Sequence, residues 1–277
     1  MRKINYPLIV SDFDGTLVNK DGTIAESNKK AIAEYIAAGG KFAISTGRMP
    51  AGILSRAREL GLKGTVSCCQ GAIIMDIESG DVVLQGRIPL QTTIAICKKM
   101  EELGLHIHVY DLWEYYCNMD DAALKIYENA VRAKAKLVLD KPISQFVEEN
   151  GLCSYKVLAM VEVADNDRIS AALAAANFEN CDVTKSDAYL VEVINKTYSK
   201  GTAVDFLANY YSVPVEKTIA VGDQRNDLPM IQKAGLGIAV KNADDGLKKE
   251  ADVVLDYTNE EGAIAKIIEK FGFCEEE

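Results

Sequence analysis

The stretch LIVSDFDGTLV, Leu8 to Val18, sets two aspartates one residue apart, directly after an apolar run and directly before a glycine. The run YPLIVS, residues 6–11, suits a strand buried on both faces, which puts Asp12 and Asp14 at its carboxyl end. Like charges a few ångström apart repel, and each loses hydration in a cleft. Such a pair persists only with a cation or a shared proton to relieve it.

Outward from this point the chain alternates. Helical periodicity runs from Ser27 to Ala38 and stops at Gly39-Gly40, KFAIST (41–46) reads as the next strand, and a second helix runs from Pro50 to Leu60 before the strand GTVSCC (64–69). This predicts a parallel sheet with right-handed crossovers. From Val82 the texture changes to close-spaced strands mixed with helices, including His106–Tyr110, Glu114–Cys117, YKVLAMVEV (155–163) and AYLVEVI (188–194). That pattern predicts an α+β insert with a partly antiparallel sheet. After Asn195 the first texture returns: a helix over 201–210, the strand KTIAVGD (217–223), a helix over 227–234, two more strands and a terminal helix. The expected organisation is therefore an α/β core made of residues 1–83 and 190–277, interrupted by an insert at 84–189.

In an open parallel sheet, ligands bind beyond the carboxyl ends of the strands, so those ends are where chemistry is sought. Four stand out. Asp12-Phe13-Asp14-Gly15-Thr16 is the first. In ISTGR, residues 44–48, Ser45 and Thr46 end a strand and Gly47 permits a tight turn; the hydroxyl and free N–H groups can hold a phosphate oxygen, while Thr46 reads equally as a helix cap. Arg48 reads as a first-turn side chain facing solvent. Lys200 in YSKGTA precedes a helix and belongs to no Walker loop, since no G-x-x-x-x-G-K-[ST] occurs in the chain. In AVGDQRNDLPM, residues 220–230, Asp223 ends a buried strand and Asp227 stands where a helix begins.

Asp12, Asp14 and Asp223 can supply oxygen ligands to Mg2+, the cation that lets the carboxylates coexist. Phosphoryl transfer needs in-line positioning and charge neutralisation, which Mg2+, Lys200 and Thr46 can provide. One aspartate can attack phosphorus, and the other can protonate the leaving alkoxide and then activate water.

In this order and with this insert, DFDGTL, STGR, SKGTA and GDQRND resemble the haloacid dehalogenase superfamily, specifically its Cof-type phosphatases with a type IIB cap, over nearly the whole chain. The resemblance implies a Rossmann-like three-layer core with the insert as a cap that sets substrate specificity. It implies Asp12 as nucleophile and metal ligand, Asp14 as general acid/base that binds the metal through its carbonyl, and Asp223 as the remaining direct ligand. It gives Thr46 as phosphate anchor and Lys200 as clamp on phosphate and nucleophile. Gly15, Gly47, Arg48, Asn226 and Asn242 join the phosphate and substrate set, and Asp227 joins the metal set, supporting its waters and Lys200. One departure is CCQGAII, where Gln70 stands in place of the family's usual asparagine.

A formal charge of −10 disfavours nucleic acid and anionic membrane surfaces as partners. No run approaches the roughly 20 apolar residues of a membrane span, and the opening residues do not form a signal peptide. Seven cysteines with no C-x-x-C pair fit free thiols in a reducing, cytoplasmic setting. The chain's two histidines, His106 and His108, share one strand face; lacking an evident third ligand, they read as a face that is solvated or lines a pocket, not as a zinc site. With Tyr110, Trp113 and Tyr115 they are the expected specificity residues. The expected partner is a small phosphorylated metabolite, with sugar phosphates foremost. Two other functions fit less well. A phosphomutase needs extra cap cations, for which Arg87, Lys125, Arg132 and Lys185 read instead as solvated side chains. A signalling receiver that stores an aspartyl phosphate needs no insert of this size.

Overall fold

The structure is a computed structural model that describes residues 2–274. Its first sheet has eight strands: β1 (Leu8–Asp12), β2 (Lys41–Ser45), β3 (Thr65–Cys68), β4 (Ile73–Asp76) and β5 (Val82–Gln85), then, beyond the insert, β12 (Thr218–Gly222), β13 (Leu236–Ala239) and β14 (Val253–Val254). Their order is β14-β13-β12-β1-β2-β3-β4-β5, so the two halves of the chain meet at β12 and β1 in the middle. Every residue of β1 and of β12 is buried, as continuous apolar runs require of strands covered on both faces. Strands β14 to β3 are parallel, and β4 and β5 add an antiparallel edge.

The insert builds a second sheet from β6 (His106–Tyr110), β7 (Tyr115–Cys117), β8 (Lys136–Leu137), β9 (Lys156–Met160), β10 (Cys181–Asp187) and β11 (Leu190–Asn195), in the order β10-β11-β9-β6-β7-β8. This moves both expected boundaries. Strand β5 stays in the first sheet through Gln85, and β11, expected in the core, pairs antiparallel with β9 and β10 in the second. The reason is physical: all six residues of β11 are buried, and an apolar run of that kind reads alike in a parallel and an antiparallel sheet. The chain thus leaves the core after residue 85 and returns after residue 195.

One face of the second sheet has a small core of its own, with Ile107, Val109, Val157 and Val193 packed against helices Leu90–Glu102 and Asn166–Ala175 through Ile96, Met100, Ile169 and Leu173. From the other face Tyr110, Leu158 and Leu190 join the large core of the first domain. The insert is therefore seated on the carboxyl ends of the core strands. No helix of the described residues is long and apolar enough to cross a membrane.

Candidate active site

Strands β1 and β12 end side by side, with Ser11 opposite Val221, which brings Asp12 and Asp223 together. After β1 the chain turns at Gly15, whose φ of +80° suits glycine; a Cβ there would also lie 2.5 Å from an Asp223 carboxylate oxygen. After β12, Gly222 permits the close approach of Asp227, whose Cβ would lie 2.5 Å from one on the glycine. Lys200 begins the helix Lys200–Tyr210, held by a capping box in which Ser199 and Thr202 bond reciprocally. From there its Nζ donates to Asp12 Oδ1 and Asp227 Oδ1, each at 2.5 Å. Thr16 donates to Asp223 at 2.7 Å.

Carboxylate oxygens of Asp12, Asp223 and Asp227 lie within 4.8 Å of one another, and all three residues are buried. Burial pushes the Asp12 carboxyl well above its usual range; Lys200 opposes this and the neighbouring Asp227 and Asp223 charges add to it. Asp223 is pushed up to about 7, by burial first and then by Asp227. Burial works against the Lys200 ammonium, but the Asp12 and Asp227 carboxylates more than reverse it, so Lys200 stays charged. When ionised, three carboxylates around one ammonium leave a deficit of two charges. A hard divalent cation fits this all-oxygen donor set and that charge.

Not every expected ligand is free to serve. Asp227 spends Oδ1 on Lys200 and Oδ2 on the backbone N–H groups of Asp223 and Gln224, so it positions the loop and the lysine beside the other two carboxylates. The Asp14 carboxylate turns away from the cluster to a two-bond pair with Arg48, at 2.7 and 2.9 Å. Arg48 is not a solvated side chain: it also donates to the Ala130 carbonyl of the insert, tying Asp14 to the cap. Thr46 is buried and its hydroxyl accepts from the Arg48 N–H, a local turn bond and not a cap of the helix Pro50–Glu59, whose N-cap position is Met49, so its own proton is left to donate. Asn242 donates to Gly15 O and accepts from Asn259 N, so it braces the turn after β1 and does not face the site.

A cleft of about 270 Å3 lies over the cluster, lined from the core by Asp12, Asp14, Thr46, Gly47, Arg48 and Asn226. Its roof comes from the cap: Tyr127, Lys156, Ser186, Tyr189, Leu190 and Glu192. None of the five expected specificity residues is there. Tyr110 and Tyr115 stack on each other at 5.2 Å beside His108, and Trp113 is exposed elsewhere. The residues missed were Lys156 and Glu192, a buried pair at 2.7 Å. Lys156 also donates to Gly47 O, and Glu192 accepts from Gln70, which in turn accepts from Asn226. Gln70 thus bridges core and cap, and does so from a left-handed backbone with φ of 60°. The available signal was a charge in the middle of an apolar strand, in YKVLAM and YLVEVI.

A family model for haloacid dehalogenase-like hydrolases matches residues 9–268. A protein of Haemophilus influenzae is 30% identical over 268 residues, covering 96% of this chain and 98% of its own. A 5-amino-6-(5-phospho-D-ribitylamino)uracil phosphatase of Bacillus subtilis is 26% identical, covering 95% and 97%. The crystal structure of a haloacid dehalogenase-like hydrolase from Bacteroides thetaiotaomicron superposes with a TM-score of 0.81 at 26% identity, covering 96% of this chain and 99% of that one. The chain belongs to the haloacid dehalogenase superfamily, in its Cof-type branch with an inserted α+β cap. It is an enzyme of the phosphatase class.

Proposed function

We propose that the protein is a Mg2+-dependent phosphatase of small phosphorylated metabolites, sugar phosphates foremost, and that the phosphoryl group passes through Asp12. The observation that carries this reading is the Asp12 carboxylate at the end of β1, 2.5 Å from Lys200 and beside Asp223. Asp12, Asp223 and the Asp14 carbonyl would hold Mg2+, which when bound neutralises charge on the phosphate oxygens. Lys200 adds a fixed positive charge on the same side, and the Thr46 hydroxyl donates to a phosphate oxygen. A carboxylate oxygen of Asp12 attacks phosphorus and the bond to the leaving oxygen breaks; Asp14 gives that oxygen its proton. Asp14 then takes a proton from water as the water attacks phosphorus, which releases inorganic phosphate and restores Asp12. For these transfers the Asp14 carboxyl leaves its two-bond pair with Arg48 and turns toward the leaving oxygen, its proton arriving with the substrate complex, and the cap roof excludes bulk water during the first.

The Bacillus relative acts, by its name, on the phosphate ester of a ribityl chain, which supports a polyol or sugar phosphate here. A phosphomutase would need cap cations free to grip a second phosphate. The proposed candidates are each paired within the protein: Arg87 with Asp111, Lys125 with Asp120, Arg132 with Glu59 and Lys185 with Asp167. The test is turnover of p-nitrophenyl phosphate and a panel of sugar and polyol phosphates, with Mg2+ and with excess chelator. Multiple turnovers that need Mg2+ support the reading. Full activity in chelator, or a single stoichiometric release, contradicts it.

A further inference from the structure

The two histidines set aside as a solvated or pocket-lining face acquire a third partner in the fold. Strands β6 and β7 pair with His108 opposite Cys117, and residues i and i+2 of β6 share a face, so His106, His108 and Cys117 converge. His106 Nε2 lies 3.0 Å from Cys117 Sγ and 3.1 Å from His108 Nε2. All three residues are buried, and one ligand atom from each falls within 4.8 Å of the others. This cluster is in the cap, made of different residues and different donor types from the aspartates of the catalytic cluster.

Proton placement among these groups leaves a conflict. His106 Nδ1 is 3.1 Å from a carboxylate oxygen of Asp121, which only accepts, so that nitrogen carries the proton and Nε2 is a bare lone pair. Two neighbours face that one lone pair. If His108 donates to it and the Cys117 thiol donates to Met119 O at 3.1 Å, the sulfur lone pairs face His106 Nε2 at 3.0 Å. If the thiol donates to His106, the two ring nitrogens must share or oppose. A cation at the centre removes the conflict, since every atom facing inward becomes a donor of electron pairs.

We propose that the cap holds a zinc-type transition-metal ion on His106 Nε2, His108 Nε2 and Cys117 Sγ. Two imidazole nitrogens and a thiolate suit Zn2+ and not Mg2+. On binding, Cys117 gives up its thiol proton to solvent. The His108 proton sits on Nδ1, 3.4 Å from the Tyr110 hydroxyl. The Asp121 carboxylate orients His106 in the manner common to metal-bound histidines, and Met119 N–H, 3.5 Å from Cys117 Sγ, faces the thiolate. A cavity of about 560 Å3 lies beside the site at His106, Met119 and Asp121, the side from which an ion would approach.

The position gives the ion a structural consequence. Asp121 is also the N-cap of the helix Ala122–Val131, accepting from Leu124 N at 2.8 Å. That helix carries Tyr127 of the cleft roof and the Ala130 carbonyl that holds Arg48. The ion therefore fixes the root of the helix that closes the catalytic cleft.

The test uses the full-length protein, reduced and stripped with chelator, and Co2+ as a visible stand-in for Zn2+. One equivalent of Co2+ should produce a thiolate-to-cobalt charge-transfer band and strong visible bands, and one equivalent of Zn2+ should bleach both. Excess Mg2+ should leave them in place. Cys117→Ser should abolish the charge-transfer band with the far-ultraviolet circular dichroism preserved, and His106→Gln should weaken Co2+ binding at least about tenfold. Asp223→Asn, in the catalytic cluster, should keep the band. Absence of the band in the parent overturns the site, as does a band that survives Cys117→Ser. If Cys117→Ser fails to fold, parent-like Co2+ binding in His106→Gln overturns it equally.

Discussion

Two lysines, Lys200 in the core and Lys156 in the cap, are each only 2% exposed, and each sits against carboxylates, yet the two clusters are built for different ends. Around Lys156 the charges balance. Glu192 is its one carboxylate partner, and Gly47 O, Ser186 and Gln70 complete the bonding of the pair. Around Lys200 they do not balance: Asp12 and Asp227 both touch it and Asp223 lies beside them. A buried pair with its bonds satisfied can fix one geometry of cap on core, whereas an uncompensated cluster stores affinity for a cation and a nucleophile ready to use it. The contrast separates the residues proposed to do chemistry from those that fix the cap on the core.

The contrast breaks most visibly at Lys200. Lys200→Met is expected to lower turnover of p-nitrophenyl phosphate by at least about 10^3-fold, since a fixed charge on the phosphate is lost. The same change at Lys156 should leave that turnover within about tenfold of the parent. Steady-state kinetics on both variants check this, and equal losses would erase the distinction.

Stability should separate the clusters next. Lys156→Met strands the Glu192 carboxylate in the interior and should cost about 3–5 kcal/mol, whereas Lys156→Met with Glu192→Leu should recover most of it. Denaturant unfolding of the single and double variants provides the measure. A double variant no more stable than the single would mean the pair does not act as a unit.

A smaller effect should follow pH. Because burial raises Asp12 and Asp223 above the ordinary carboxylate range, the metal-free folded state holds protons there that the unfolded chain has lost, so this cluster destabilises the protein as pH rises from about 4 through 7. Mg2+ competes for the same oxygens. Its stabilisation should therefore be larger at pH 7.5 than at pH 5.5, read as the rise in Tm on adding Mg2+ to chelator-treated protein. A rise that is larger at the lower pH would exclude these carboxylates as the ligands.

The smallest effect belongs to Asn242. Asn242→Ala removes the bond that braces Gly15 O and should cost about 1 kcal/mol of stability. Kinetics should show Mg2+ affinity reduced without loss of the chemical step. Unchanged stability and Mg2+ affinity would remove Asn242 from the account.

The clustering of the strand ends was legible because three local signals coincide there: a buried apolar run, an abrupt aspartate and a neighbouring glycine. Lys200 was legible only through its order among the motifs, since a lone lysine before a helix says little. The Asp14–Arg48 pair was not legible, because it depends on how the turn after β1 meets the start of the helix Pro50–Glu59. The cap was read less well. The histidines and aromatics of β6, β7 and the turn between them looked like a substrate surface, but His108 packs against Tyr115 and Tyr127, and the cleft falls instead to Lys156 and Glu192 on β9 and β11. Cys117 was invisible as a partner of the histidines because strand register is set by pairing, not by spacing along the chain.

The proposed reaction divides labour: Asp12 carries the phosphoryl group and Asp14 moves the protons. It is tested most directly in Asp14→Asn, mixed with p-nitrophenyl phosphate and Mg2+, quenched in acid and mapped by peptide mass spectrometry. An aryl leaving group needs little protonation, whereas the water that clears the intermediate needs a base. The expected record is a burst approaching one equivalent per site, slow turnover thereafter, and a phosphoryl group on Asp12 that is absent from Asp12→Asn. An adduct on any other residue, or parent-like turnover of a sugar phosphate by Asp14→Asn, would contradict it.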